Sequence, residues 1–91
     1  MSRLDDAGVA DALRRTPGWQ RAGGEITRTY RFEDFRAALA FVNRVGELAE
    51  RAGHHPDIDI RYGTVRLALT THDAGGLSAK DFELARAIDA G

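Results

Sequence analysis

Ninety-one residues and 10.0 kDa hold one domain, residues 1–91, with little room for a second. The absence of cysteine excludes disulfides and all-thiolate metal sites, and the composition suits a reducing cytoplasm. A net charge of -1 and a pI near 6.3 argue against a nucleic-acid binder, which would carry a basic excess. The longest apolar run, Ala37 to Val42, falls far short of the roughly 20 residues of a membrane span. No apolar stretch follows Met1-Ser2-Arg3, so no signal peptide is expected.

The first predicted element is a short helix from about Asp5 to Arg15, capped by Asp5 or Asp6 and stopped at Thr16-Pro17-Gly18. Val9 and Leu13 share one face, while Gly8 weakens the helix and makes it dependent on docking. A hairpin follows. Trp19-Gln20-Arg21 leads into a turn at Ala22-Gly23-Gly24, and Ile26, Arg28, Tyr30 and Phe32 then alternate with polar partners. Arg28 on the apolar side points to a face that is only partly covered.

The longest predicted helix runs from about Asp34 to Ala52, with Gly53 as its stop. Phe35, Leu39, Val42 and Ala49 cluster on one side, and Phe41, Val45 and Leu48 widen it to an apolar arc of roughly 200°. One core needs only about 100° of arc or somewhat more, so the excess fits either deep burial or a subunit interface. The alternation Asp57-Ile58-Asp59-Ile60-Arg61-Tyr62 predicts a half-buried strand, and Gly63-Thr64 its turn. In the return strand Val65, Leu67, Leu69 and Thr71 share one face, with Arg66, Ala68, Thr70 and His72 on the other. Ser78 caps the last helix and Asp81 stands at capping-box spacing, with Leu77 and Phe82 at the hydrophobic-staple positions. The expected order is α-β-β-α-β-β-α, two hairpins and three helices in an α+β fold with an antiparallel sheet.

Chemistry concentrates in Glu50, His54, His55, His72 and Asp81, drawn from a helix end, a loop, a strand end and a helix start. Histidine gives or takes a proton near neutrality, and a carboxylate beside it fixes its tautomer. Each residue also has a plainer role. His54 and His55 complement a helix C-terminus, Pro56 enforces an extended exit, and Asp81 serves as a cap. Three histidines and a carboxylate also make zinc the main chemical competitor, but HExxH spacing is absent and adjacent histidines on extended chain point apart. No metal is assigned. Without cysteine or Gly-x-Ser-x-Gly, nucleophilic catalysis has less support, and no glycine motif suggests a nucleotide.

The ordered set Glu50, three residues, His54-His55-Pro56, five residues, Tyr62, nine residues, His72, eight residues, Asp81 resembles the pterin-4a-carbinolamine dehydratases. Pro17-Gly18-Trp19, Phe32 to Phe41, Thr71-His72, Gly76-Leu77-Ser78 and Asp81 to Asp89 are similar to that family as well. The resemblance implies three helices packed on one side of a four-stranded antiparallel sheet, and a homodimer or homotetramer joined by sheet edges or the long helix. It implies dehydration of 4a-hydroxytetrahydropterin to quinonoid dihydropterin without metal or cofactor, recycling the pterin of an aromatic amino-acid hydroxylase. On the same ground His54 and His72 form the acid–base pair and His55 binds the substrate hydroxyl. Pro56 then holds the loop, and Glu50 and Asp81 position or polarise the histidines.

Three positions depart from common usage in that family: Gly53 before the histidines, Ile58 for a frequent tryptophan, and Gly63 for a frequent asparagine. They touch substrate contacts rather than the histidines. The rival reading is a non-catalytic module of the same fold, binding a pterin or acting in protein dimerisation and transcriptional coactivation. No direct nucleic-acid or membrane partner is expected.

Overall fold

The computed structural model describes residues 2–91. Its order is α1 (Asp6–Arg14), β1 (Gln20–Ala22), β2 (Glu25–Arg31), α2 (Phe35–Ala52), β3 (Asp57–Arg61) and β4 (Thr64–Leu69). A single 3-10 turn (His72–Ala74) then precedes α3 (Ala79–Ala90). The strands form one antiparallel sheet in the order β1-β2-β4-β3, so the two hairpins meet along β2 and β4. The α-β-β-α-β-β-α order and the α+β class read from periodicity are those of the structure.

Side chains alternate along a strand, so register decides what shares a face. Ile26 lies opposite Leu69, Tyr30 and Ile60 opposite Val65, and Ile58 opposite Leu67. This one face meets Val9 and Ala12 of α1, the buried stripe of α2, and Phe82, Leu84, Ala85 and Ile88 of α3 in one core. All three helices therefore share one side of the sheet. Each fully buried large side chain such as Phe82 or Ile88 contributes about 1.5–3 kcal/mol. The caps are also as expected: Gly8 N–H donates to Asp5 Oδ1 at 2.8 Å, and Ala37 N–H to Asp34 Oδ1 at 2.9 Å.

Three details differ from the expectations. In α2 the buried stripe is Ala38, Phe41, Val45 and Ala49, whereas Phe35 and Leu39 are 48% and 40% exposed. The core takes the side of the helix that holds Ala38 and Ala49, packs Val42 and Leu48 at its margin, and leaves Phe35 and Leu39 outside. The β3–β4 turn is Tyr62–Gly63 rather than Gly63–Thr64, because Arg61 pairs with Thr64. Gly63 is pressed against β2's exit: Phe32 N–H donates to its carbonyl at 2.7 Å, and a Cβ there would lie 2.5 Å from Phe32 O.

The return strand ends at Leu69, so His72 lies in the 3-10 turn and not on a strand face. Thr71 keeps only an isolated bridge to Gly76, while its carbonyl accepts the Ala74 N–H at 3.0 Å and so starts the turn. The structure also accounts for Arg28 on the partly covered face. Its guanidinium lies 4.7 Å over the Tyr30 ring and reaches Asp89 at 3.0 Å, so its charge is paired at the edge of the core.

Candidate active site

Gly53 brings the first histidine into place. With φ +62° it is left-handed, its N–H donates to Glu50 O at 3.3 Å, and His54 N–H donates to Ala49 O at 3.1 Å. These two bonds are a Schellman ending, which turns the chain off α2 at His54. Left-handed backbone suits glycine first and asparagine or aspartate next, so the departure at Gly53 preserves the geometry.

His54 Nε2 lies 2.5 Å from Asp81 Oδ1; the histidine side chain is 11% exposed and the aspartate fully buried. Asp81 sits in the first turn of α3, in a capping box with Ser78. Its other oxygen, Oδ2, accepts the Ser78 backbone N–H at 2.9 Å and the Thr71 hydroxyl at 2.8 Å. The Thr71 and Ser78 hydroxyls are themselves 2.7 Å apart. A buried carboxylate needs such donors to offset lost hydration. Among the described residues no buried side-chain nitrogen or oxygen lacks a partner. A carboxylate only accepts, so with Asp81 ionised the contact takes the Nε2–H tautomer of His54 and leaves Nδ1 outside it.

His55 points elsewhere. Its Nε2 is 2.5 Å from Glu50 Oε2, in a pair that is mostly exposed. His55 and Glu50 line an open groove of about 960 Å³ with Val42, Gly46 and Ile58. His54 lines a cleft of about 380 Å³ with Leu48, Arg51, Lys80, Glu83 and Leu84. Pro56 is half-buried between the histidines and β3, and His72 stands exposed at the start of the 3-10 turn. The six predicted residues thus fall into a His54–Asp81 pair, a His55–Glu50 pair, Pro56 beside them, and His72, which follows Thr71 in the chain. Among the described residues no three His, Asp or Glu side chains converge as a metal ion would require, and no helix is long and apolar enough to cross a membrane.

Two polar residues of this network escaped the sequence reading as site residues. Alternation puts Thr71 on the strand face of Val65, Leu67 and Leu69, and the capping signal accounts for Ser78. A signal for Thr71 was present: it is polar and in phase with buried Val65, Leu67 and Leu69, so its hydroxyl requires a buried acceptor. A second carboxylate hub lies at the other end of α3. Asp89 Oδ2 accepts Trp19 Nε1–H at 2.8 Å and Arg28 at 3.0 Å, and Oδ1 accepts the Tyr30 hydroxyl at 2.5 Å. Burial, and then the bond to Asp89, push the Tyr30 phenol well above its ordinary range.

The family model described as pterin 4 alpha carbinolamine dehydratase matches residues 2–91. A protein of Chloroflexus aurantiacus is 62% identical over 89 residues, covering 98% of this chain and 96% of the relative. One from Thermomicrobium roseum is 59% identical over 88 residues, covering 97% and 95%. Both have been assigned the name pterin-4-alpha-carbinolamine dehydratase. The crystal structure of a transcriptional coactivator/pterin dehydratase from Brucella melitensis superposes with a TM-score of 0.93 at 34% identity, over 98% of this chain and 97% of that one. With a match along the whole described chain and a shared fold, this protein belongs to the pterin-4a-carbinolamine dehydratase family.

Proposed function

We propose that this chain dehydrates a 4a-hydroxytetrahydropterin to the quinonoid dihydropterin, with His54 and His72 sharing the proton transfers. The reaction breaks the C4a–O bond, releases water and forms a double bond between C4a and N5. One group delivers a proton to the departing hydroxyl and another removes the proton from N5. The observation that carries the reading is the His54–Asp81 contact: a buried, multiply bonded carboxylate holds one ring nitrogen and leaves the other for the substrate. In this reading His72 supplies the second group. His55, steadied by Glu50 at 2.5 Å, orients the substrate hydroxyl, and Pro56 keeps the loop extended.

The product is the pterin that an aromatic amino-acid hydroxylase consumes after reduction, so the role is pterin recycling in the cytoplasm. The whole chain acts as one domain, with no cofactor in this scheme. We also infer a homodimer or homotetramer, supported by Phe35, Leu39 and Ile58, which stand 48%, 40% and 38% exposed.

Purified protein is expected to accelerate the decay of enzymatically generated 4a-hydroxytetrahydropterin. His54→Ala and His72→Ala are each expected to lower the rate at least about tenfold. Wild-type decay no faster than buffer would overturn the dehydratase reading and favour a non-catalytic role, such as the coactivator function named for the Brucella melitensis protein. Activity that tracks near-stoichiometric bound metal would instead overturn the metal-free mechanism.

A further inference from the structure

We propose that Thr71 is a positioning residue of the dehydration, aiming the carboxylate that holds His54 and anchoring the turn that carries His72. The inference rests on the proposed acid–base pair and adds a residue to it.

An aspartate turns easily about its terminal torsion, because that well is broad and roughly two-fold. Two donors on Oδ2 remove this freedom for Asp81. One is the Ser78 N–H at 2.9 Å, which any N-terminal cap of α3 would provide. The other is the Thr71 hydroxyl at 2.8 Å, which comes from a different segment and fixes the plane of the carboxylate from the sheet side. Oδ1 is thereby left facing His54 Nε2 at 2.5 Å.

The backbone of Thr71 performs the second task. Its N–H donates to Gly76 O at 3.0 Å, and its carbonyl accepts the Ala74 N–H at 3.0 Å and the Gly76 N–H at 3.3 Å. These bonds close the loop whose first residue is His72. Thr71 is 6% exposed and branched at Cβ, so its hydroxyl and its backbone move together. Thr71 therefore joins the Asp81–His54 contact to the turn that begins at His72. The charged groups in the His54 cleft, Arg51, Lys80 and Glu83, are none of them bonded to Asp81 in this network.

The test is Thr71→Val, which keeps the shape and removes both the donor to Asp81 and the acceptor of the Ser78 hydroxyl. It is expected to lower kcat about tenfold while KM stays within about threefold, and Thr71→Ser is expected to restore kcat to within about threefold of wild type. Ring ¹⁵N spectra of His54 give a readout independent of turnover. The Nε2–H tautomer should dominate in wild type and Thr71→Ser, and give way to a mixture in Thr71→Val. Should Thr71→Val not fold, Thr71→Cys, with a weak donor of similar volume, is expected between wild type and the full loss. A lowered Tm with unchanged kcat and an unchanged His54 spectrum would overturn the proposal and leave Thr71 a structural residue. Should wild type show no turnover, the dehydratase reading fails; the tautomer spectra then still decide whether Thr71 aims Asp81 at His54.

Discussion

Two aspartates of α3 show how burial and partners divide the roles of one residue type. Asp81 is fully buried and collects a histidine, a hydroxyl and a backbone N–H, so its two oxygens are divided between His54 and the start of α3. Asp89 collects an indole, a guanidinium and a phenol, which ties β2 and Trp19 to the end of α3. The Tyr30 phenol has a measurable consequence. Its ionisation is raised in the folded state, so the unfolded chain releases that proton first, near the ordinary value of about 10. The folded state then binds more protons than the unfolded one, and stability falls as pH rises above that value. Denaturant midpoints measured from pH 8 to 11 are expected to decline at the alkaline end, and Tyr30→Phe is expected to flatten the decline. An equally steep decline in the variant would place the alkaline sensitivity elsewhere.

At the scale of elements, short connections aim the site. The Schellman ending of α2 at Gly53 sets where His54 leaves the helix, and the tight Tyr62–Gly63 turn sets the register of β3 on β4. Gly63→Ala places a Cβ against the Phe32 carbonyl, so backbone must shift where no side chain can yield. A loss of about 1–3 kcal/mol is expected, read as a lower denaturant midpoint with an unchanged slope. An unchanged midpoint would mean that the turn relaxes without cost. These elements were legible in the sequence to different degrees. Periodicity and turn signals located the three α-helices and the four strands, though not the 3-10 turn at His72–Ala74, and the Ser78 and Gly53 signals located two ends. The exit of β4 was not legible, because alternation from Val65 continues in phase through Thr71 and only Asp81, ten residues on, draws that hydroxyl away.

For the whole molecule, the apolar arc of α2 exceeds what one core can cover. Phe35 and Leu39 are left half out, and β1 and β3 form the two edges of the sheet. Light scattering at micromolar concentration is expected to give at least a dimer, and Leu39→Glu is expected to reduce the assembly if the long helix forms the interface. A monomeric wild type would show that these side chains remain in water and that the chain is stable alone. The candidate site was legible only as a list of residues. Glu50, His54, His55, His72 and Asp81 stood out by type and spacing, but nothing in their order told which carboxylate served which histidine. The contacts pair His54 with Asp81 across 27 residues and His55 with Glu50 across five.

Alternation, helical period and turn signals determined the element order and the antiparallel sheet, because these depend on neighbours a few positions apart, and residue type alone marked the side chains with chemistry to offer. Spacing further pointed to the family that the comparisons identify. Only the tertiary structure decided which side of α2 meets the sheet, where β4 ends and which oxygen of Asp81 faces His54. Those outcomes depend on close approach between distant segments and on satisfying buried polar groups, and neither is encoded in any local pattern.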